Sequence, residues 1–214
     1  MAKEPVKCAV ILAGGASTRM SVDKAMVRVG GIPMLHRAAT TALKISPAIE
    51  VIIAGRDRPD DWPASLKVQF LPDLPLPGET PPIRRSAGPL LGLVSAMEHV
   101  RAPLLVLPCD APRLSAVLLQ KLIAAHARGP ASKVATMLFS ITSKGVEVEP
   151  TLAVYTPALL PTLQQMLRED RRALYPLISL AGVTTWEIPP EHEHEILNVN
   201  TPENLAEADR LLKN

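Results

Sequence analysis

Residues 12–25 read LAGGASTRMSVDKA and follow the apolar run CAVIL. Gly14 and Gly15 let backbone N–H groups come close to a ligand, and consecutive N–H groups in such a turn can form an anion-binding nest. Ser17 and Thr18 add hydroxyl donors. Arg19 offers a planar fork that grips a phosphate at two points, and Lys24 a mobile point charge. The stretch has neither the G-x-G-x-x-G of dinucleotide loops nor the G-x-x-x-x-G-K-[ST] of the P-loop. It can be read as a Gly-Gly turn with solvated charges. Two glycines, Arg19 and Lys24 together behind a buried strand favour a phosphate loop of a third kind.

Two carboxylates belong beside it. Asp110 ends the apolar run PLLVLPCD, and Asp73 follows KVQFL. Each can simply shape a turn. At the carboxyl edge of a sheet, facing a cationic loop, Asp110 is instead a hard oxygen ligand suited to Mg²⁺. Asp73 carries the same two readings. Two acids opposite a cationic loop fit metal–nucleotide chemistry.

Other reactive groups are less informative. Cys8 and Cys109 lie inside apolar runs and read as buried thiols of a reducing compartment, with no Cys-x-x-Cys. The five histidines form no zinc spacing. EHEHE near the C-terminus places His192 and His194 two apart, so they share no helix face, and reads as a solvated loop.

These groups need a scaffold. VKCAVIL (6–12) and EVIIA (50–54) are apolar without alternation, as strands buried on both faces are. KVQFL (67–71), 103–110, 133–139, 150–156 and VTTWEI read as further strands, and MVRVGG as a short strand or hairpin arm. Helical spacing runs over 33–45, 88–100, 115–127, 157–168 and 172–181. A last helix opens with Thr201 as N-cap and Pro202 at its first position. The Pro-rich stretch LPLPGETPPIRRSA, with Arg84 and Arg85, must be a loop. Strands alternating with helices predict a doubly wound α/β sheet, mostly parallel, which binds ligands at the carboxyl ends of its strands. The 12–25 loop, Asp73 and Asp110 then fall on one edge.

Composition removes several classes. With 214 residues the chain can bury a substantial core. A net charge of +2 gives no reason for nonspecific nucleic-acid or membrane binding, and 3% aromatic residues argue against base-stacking platforms. MAKEPVK has no apolar segment behind a cleavage site, and no apolar run reaches the ~18 residues of a membrane span. The expectation is a cytoplasmic protein.

LAGGASTRMSVDKA resembles the L-A-G-G-x-S-x-R-M-G-x-D-K signature of the molybdenum cofactor guanylyltransferases. The resemblance continues through AGPLLGLVSAM, LVLPCDAPRL, EPTLAVYTPALLPTL, REDRRALYPLI and ILNVNTPENL, nearly the whole chain in order. It implies a Rossmann-like fold of nucleotide-diphospho-sugar transferase type, as one domain over 1–214. The nucleotide-binding half would span about 6–127 and the pterin-side half about 128–214. It implies GTP and molybdopterin cofactor as substrates, Mg²⁺ as cofactor, and a guanine dinucleotide and diphosphate as products. Other cofactor-biosynthesis proteins and apo-molybdoenzymes would be partners.

By position, Leu12, Ala13, Gly14 and Gly15 match the backbone segment that meets the nucleotide. Lys24 matches a nucleotide-binding lysine, Asp73 a nucleotide-contacting acid, and Asp110 the Mg²⁺ and nucleotide ligand. Arg19, Asn198 and Asn200 match positions with catalytic or pterin-side roles. Two positions depart from the pattern. Ser21 stands where the family usually has glycine, and Ile53 where relatives can carry asparagine. A cytidylyltransferase for the same pterin, a sugar-nucleotide pyrophosphorylase and a non-catalytic nucleotide-binding protein are the competing readings.

Overall fold

Alternation along buried strands sorts side chains to two faces, and that sorting organises this protein. The computed structural model describes residues 4–14, 23–73, 88–143 and 145–212. β1 (Cys8–Leu12) is buried throughout. Its Ala9 and Ile11 point to one face, and Cys8, Val10 and Leu12 to the other. After a hairpin of two short strands, β2 (Arg28–Val29) and β3 (Ile32–Pro33), comes helix α1 (Met34–Leu43). β4 (Glu50–Ala54), β5 (Gln69–Leu71), α2 (Gly88–Val100), β6 (Leu104–Pro108) and α3 (Ala116–Arg128) follow. The first face packs on α1 and α3 through Leu35, Ala39, Leu118 and Leu122. The second packs on α2 and, farther along, α4 (Leu160–Arg168) through Leu90, Leu93, Leu163 and Met166. Helices on both faces explain why the central strands carry no polar alternation.

β7 (Ala135–Thr142), β8 (Gly145–Tyr155), β9 (Val183–Glu187) and helix α5 (Pro202–Leu211) complete the chain. The seven-stranded sheet has the order β5-β4-β1-β6-β8-β7-β9. β5, β4, β1 and β6 are mutually parallel, β9 is parallel to β7, and β8 runs antiparallel to both its neighbours. The expected mostly parallel α/β sheet is present.

Three expectations about elements change. β8 begins at Gly145, five residues before the predicted strand, because it closes a hairpin with β7. The helix predicted over 172–181 is a 3₁₀ segment, Tyr175–Ser179, where Pro176 sits at its second position and breaks α-helical bonding. The EHEHE segment is no solvated loop. Pro190–Glu195 is a 3₁₀ helix whose three-residue period places His192 and Glu195 on one buried face. His192 Nδ1 lies 2.6 Å from Glu195 Oε1, and Glu195 Oε2 accepts the Ser115 N–H at 2.7 Å. Ser115 Oγ in turn accepts the Leu118 N–H, so both residues satisfy the open donors of the α3 N-terminus.

β8 also carries an irregularity. Met137 pairs with Ala153, but its neighbour Leu138 pairs with Glu149, so Pro150–Leu152 have no partner on β7. Pro150 lacks the N–H that a ladder position requires, which favours a bulge here. The buried Tyr155 hydroxyl donates to the Pro150 carbonyl at 2.6 Å and satisfies it within the bulge.

Candidate active site

The carboxyl ends of β1, β4, β5 and β6 lie along one sheet edge because these strands run parallel. Past β1, Ala13 N–H donates to Ala54 O at 3.0 Å, and Gly55 N–H donates to Leu71 O at 3.0 Å. Strand pairing is thus extended one residue and brings Gly14 against Gly55. A Cβ on Gly55 would lie 2.6 Å from Gly14 Cα, and Gly55 has φ +91°. Only glycine fits there, for space and for backbone.

Asp73 sits over this pair. A Cβ on Gly14 would stand 3.5 Å from Asp73 Oδ2, and one on Gly92 of α2 3.8 Å from Oδ1. Asp73 Oδ1 is buried and has no hydrogen-bond partner among the described residues. Burial holds the Asp73 carboxyl above the usual carboxylate range. An unpartnered carboxylate oxygen beside an exposed glycine backbone is an acceptor awaiting a donor. Gly55→Ala is expected to cost about 1–2 kcal/mol through the left-handed backbone alone. It would also displace Gly14 and weaken nucleotide binding, as thermal unfolding and nucleotide titration would show.

A second group lies alongside. Lys24 stands on a single 3₁₀ turn, Lys24–Met26, capped by Asp23, whose Oδ1 accepts the Ala25 N–H at 3.1 Å. Arg56, next after Gly55, holds Asp23 with two nitrogens, at 2.7 and 3.4 Å. The Lys24 ammonium pairs with Asp110 Oδ2 and donates to Asn200 Oδ1 at 2.5 Å. Asp110 O accepts the Val199 N–H at 2.8 Å, which ties the C-terminal segment to the end of β6. Val199 is buried with Val29, Met34 and Ala208. Asn198 borders the cleft, and Asn200 reaches it through Lys24. α5 then starts at a capped terminus, with Thr201 Oγ1 accepting the Asn204 N–H.

The cleft between the two groups measures about 300 Å³ and is bordered by Leu12, Ala13, Gly14, Lys24, Asp110 and Asn198. A concavity of about 400 Å³ between α2 and α4 is lined by Met97, Glu98, Arg101, Pro157, Leu160 and Gln164. None of the residues of the glycine cradle or the Lys24–Asp110 group lines it, so the chemistry is sought in the first cleft. Leu12, Ala13, Gly14, Lys24, Asp110 and Asn198 thus line one cleft. Asn200 joins through Lys24, and Asp73 through Gly14. Gly15, Ser17, Thr18, Arg19, Ser21, Arg84 and Arg85 lie outside the described residues. Ile53 is fully buried against α1 and faces away from the cleft, so it supplies no ligand contact.

Three charged residues near the cleft carry no assigned role in the motifs above. Asp23 and Arg56 clamp the turn that bears Lys24. Arg56 follows a parallel strand just as Asp110 does, and position alone could have found it. Glu149, at the β8 bulge, lies within electrostatic reach of Asp110 and of the Asn198 side chain. Burial first, and then the charge of Asp110, raise its carboxyl above the usual range, while the Asn198 side chain opposes the rise. Its only signal in the sequence is an acid directly before a strand proline. Cys109 borders the cleft, but burial above all pushes its thiol up to about 12, so it is no nucleophile.

Among the described residues no three His, Cys, Asp or Glu side chains converge. The Asp110 oxygens, with amide oxygens from Asn198 and Asn200, still suit Mg²⁺, which takes one or two carboxylates and completes its shell with water and phosphate. A lysine ammonium already sits between two of these oxygens, Asp110 Oδ2 and Asn200 Oδ1.

A glycine cradle and a lysine–carboxylate group on the carboxyl edge of a mostly parallel sheet define a nucleotide-handling α/β protein. Residues 9–182 match the MobA-like NTP transferase domain, and the chain belongs to that family. Among relatives, the molybdenum cofactor guanylyltransferase of Shewanella amazonensis is 31% identical over 209 residues, covering 95% of this chain and 96% of that protein. A probable molybdenum cofactor guanylyltransferase of Synechococcus elongatus is 32% identical over 201 residues, covering 91% and 93%. The crystal structure of molybdopterin-guanine dinucleotide biosynthesis protein A from Archaeoglobus fulgidus superposes with a TM-score of 0.71 over 96% of this chain and 98% of that one, at 19% identity. That last likeness bears on the fold.

Proposed function

We propose that this protein transfers GMP from GTP to the terminal phosphate of molybdopterin cofactor and releases diphosphate. The observation that carries this reading is the placement of Lys24, Asp110 and Asn200 beside the Gly14–Gly55 cradle, with Asp73 over it. The guanylyltransferase relatives, matched over nearly their whole length, supply the substrates.

The acceptor phosphate oxygen forms a bond to the α-phosphorus of GTP, and the bond from that phosphorus to the bridging oxygen of the diphosphate breaks. The substrate brings its own nucleophile, so the protein acts by placing groups and neutralising charge. The exposed Gly14 backbone lets the nucleotide lie against the sheet edge. Asp73 accepts N–H groups from guanine, whose Watson–Crick edge offers two adjacent donors. Lys24 leaves Asp110 for the phosphates and stabilises charge on the departing diphosphate. Asp110, with Asn198 and Asn200, would hold Mg²⁺, which when bound supplies positive charge to the same phosphates. Among the described residues no helix is long and apolar enough to cross a membrane.

The test is diphosphate release from GTP, and separately from CTP, with molybdopterin cofactor and the full chain. Release with GTP is the expected result. Preference for CTP, or nucleotide binding without release, would overturn the assignment.

A further inference from the structure

In the proposed reaction Lys24 leaves Asp110 for a nucleotide, yet the element that carries it is a single 3₁₀ turn, Lys24–Met26. The turn is closed by Met26 N–H to Asp23 O and Val27 N–H to Lys24 O. One turn of helix makes too few bonds to fix its own orientation. The rest of the fold must hold it. Asp23 caps the turn, with Oδ1 accepting the Ala25 N–H at 3.1 Å. Arg56 grips the same carboxylate, with Nη2 at 2.7 Å from Oδ2 and Nη1 at 3.4 Å from Oδ1. Both Asp23 oxygens are engaged, so the carboxylate is fixed in rotation as well as in place.

The arginine is itself firmly seated. Its side chain is only 18% exposed, and its Nε is buried with no hydrogen-bond partner among the described residues. Asp23 borders the cleft, and Arg56 holds it from the end of β4. Arg56 directly follows Gly55, whose N–H donates to Leu71 O and whose backbone, at φ +91°, is pressed against Gly14. The base of the arginine therefore cannot drift. One bonded path runs from the Gly14–Gly55 cradle through Arg56 and Asp23 to Lys24, and on to Asp110 and Asn200. The two groups of the cleft are thus not independent.

We infer that Arg56 is a positioning residue for Lys24: acting through Asp23, it holds the lysine at a set distance from the glycine cradle, where the β- and γ-phosphates of a nucleotide lying in that cradle reach the ammonium. The inference rests on the transferase reading of the cleft and adds to it a residue that acts at one remove. It has a signature that a purely structural role lacks. An arginine acting through Lys24 loses its effect once the ammonium is gone, whereas one that touches phosphate directly does not. GMP, with no β- or γ-phosphate, should not sense the change.

The experiment is calorimetric titration of the full chain with a non-hydrolysable GTP analogue and, separately, with GMP. Arg56→Gln is expected to weaken the analogue about tenfold and to leave GMP within about twofold of the parent. Arg56→Lys keeps the charge without the planar fork and should recover part of the loss. Asp23→Asn keeps an oxygen for the Ala25 N–H but removes the charge that Arg56 grips, so it should reproduce the Arg56→Gln loss. It carries the same test if Arg56→Gln fails to fold. In a Lys24→Met background, Arg56→Gln should change analogue affinity by less than about twofold. Analogue affinity in Arg56→Gln equal to the parent's would overturn the inference. So would equal weakening of analogue and GMP, which marks damage to the cradle, or the same loss with and without Lys24, which marks direct phosphate contact. A parent chain that binds neither nucleotide ends the transferase reading, and the inference with it, before any variant is made.

Discussion

Asp110→Asn will slow diphosphate release from GTP about 100- to 1000-fold, the usual cost of removing one preorganised charge from a transition state, ~3–4 kcal/mol. The substitution keeps shape and leaves the backbone bond from Val199 N–H to Asp110 O available, so the fold should persist. It removes a carboxylate charge that Lys24 neutralises in the free protein. Lys24→Met should cost a similar factor by taking charge from the leaving diphosphate. The two losses will not add, because the side chains touch and act as one unit. The double variant is expected close to the worse single variant. Single-turnover measurements with saturating GTP separate this loss of chemistry from a loss of binding. Full-rate turnover by either single variant would remove that residue from the mechanism.

The second large effect concerns Asp73. Asp73→Asn replaces an acceptor-only carboxylate with an amide that donates on one side. Selectivity for GTP over CTP should fall by ~10- to 100-fold, in line with the ~1–3 kcal/mol expected of a well-placed bidentate contact. A pH profile gives an independent check. Burial raises the Asp73 carboxyl in the folded protein. The free fold therefore binds the proton more tightly than the unfolded chain does. Its ionisation subtracts stability as pH climbs through the raised folded value, and the penalty vanishes below the ordinary carboxylate range. Guanine binding has the opposite sign, needing the ionised form and weakening as pH falls through the same window. Asp73→Asn should flatten the acid limb of GTP affinity and raise the melting temperature at neutral pH relative to the parent. Unchanged selectivity between GTP and CTP would move base recognition elsewhere along the cleft.

Much of this arrangement can be read from sequence because two strong signals coincide. Unbroken apolar runs such as CAVIL and PLLVLP mark strands buried on both faces. Parallel topology then places whatever follows each run on one edge. That logic locates Gly14, Asp73 and Asp110 before any coordinates. It gives no warning that β8 runs antiparallel, because an antiparallel hairpin strand in a mixed sheet has the same apolar core pattern as a parallel one. Glu149 is hidden for that reason. Its approach to the cleft depends on a register slip at Pro150 that no periodicity encodes. Arg56 is a different kind of omission, since its support of Lys24 through Asp23 is a tertiary contact between two loops. The buried histidine and glutamate of EHEHE are misread for a third reason. Polar composition suggests solvent, yet these side chains satisfy the open end of α3.

The bond between Lys24 and Asn200 joins residues 176 positions apart. During synthesis Lys24 and Asp110 leave the ribosome well before Asn198 and Asn200. At 5–20 residues per second the interval after Asp110 is roughly 5–20 s. Through that time the nascent sheet can form, but its catalytic edge lacks the Val199 bond and both amides. A working site therefore cannot be complete until Asn198–Asn200 have been made.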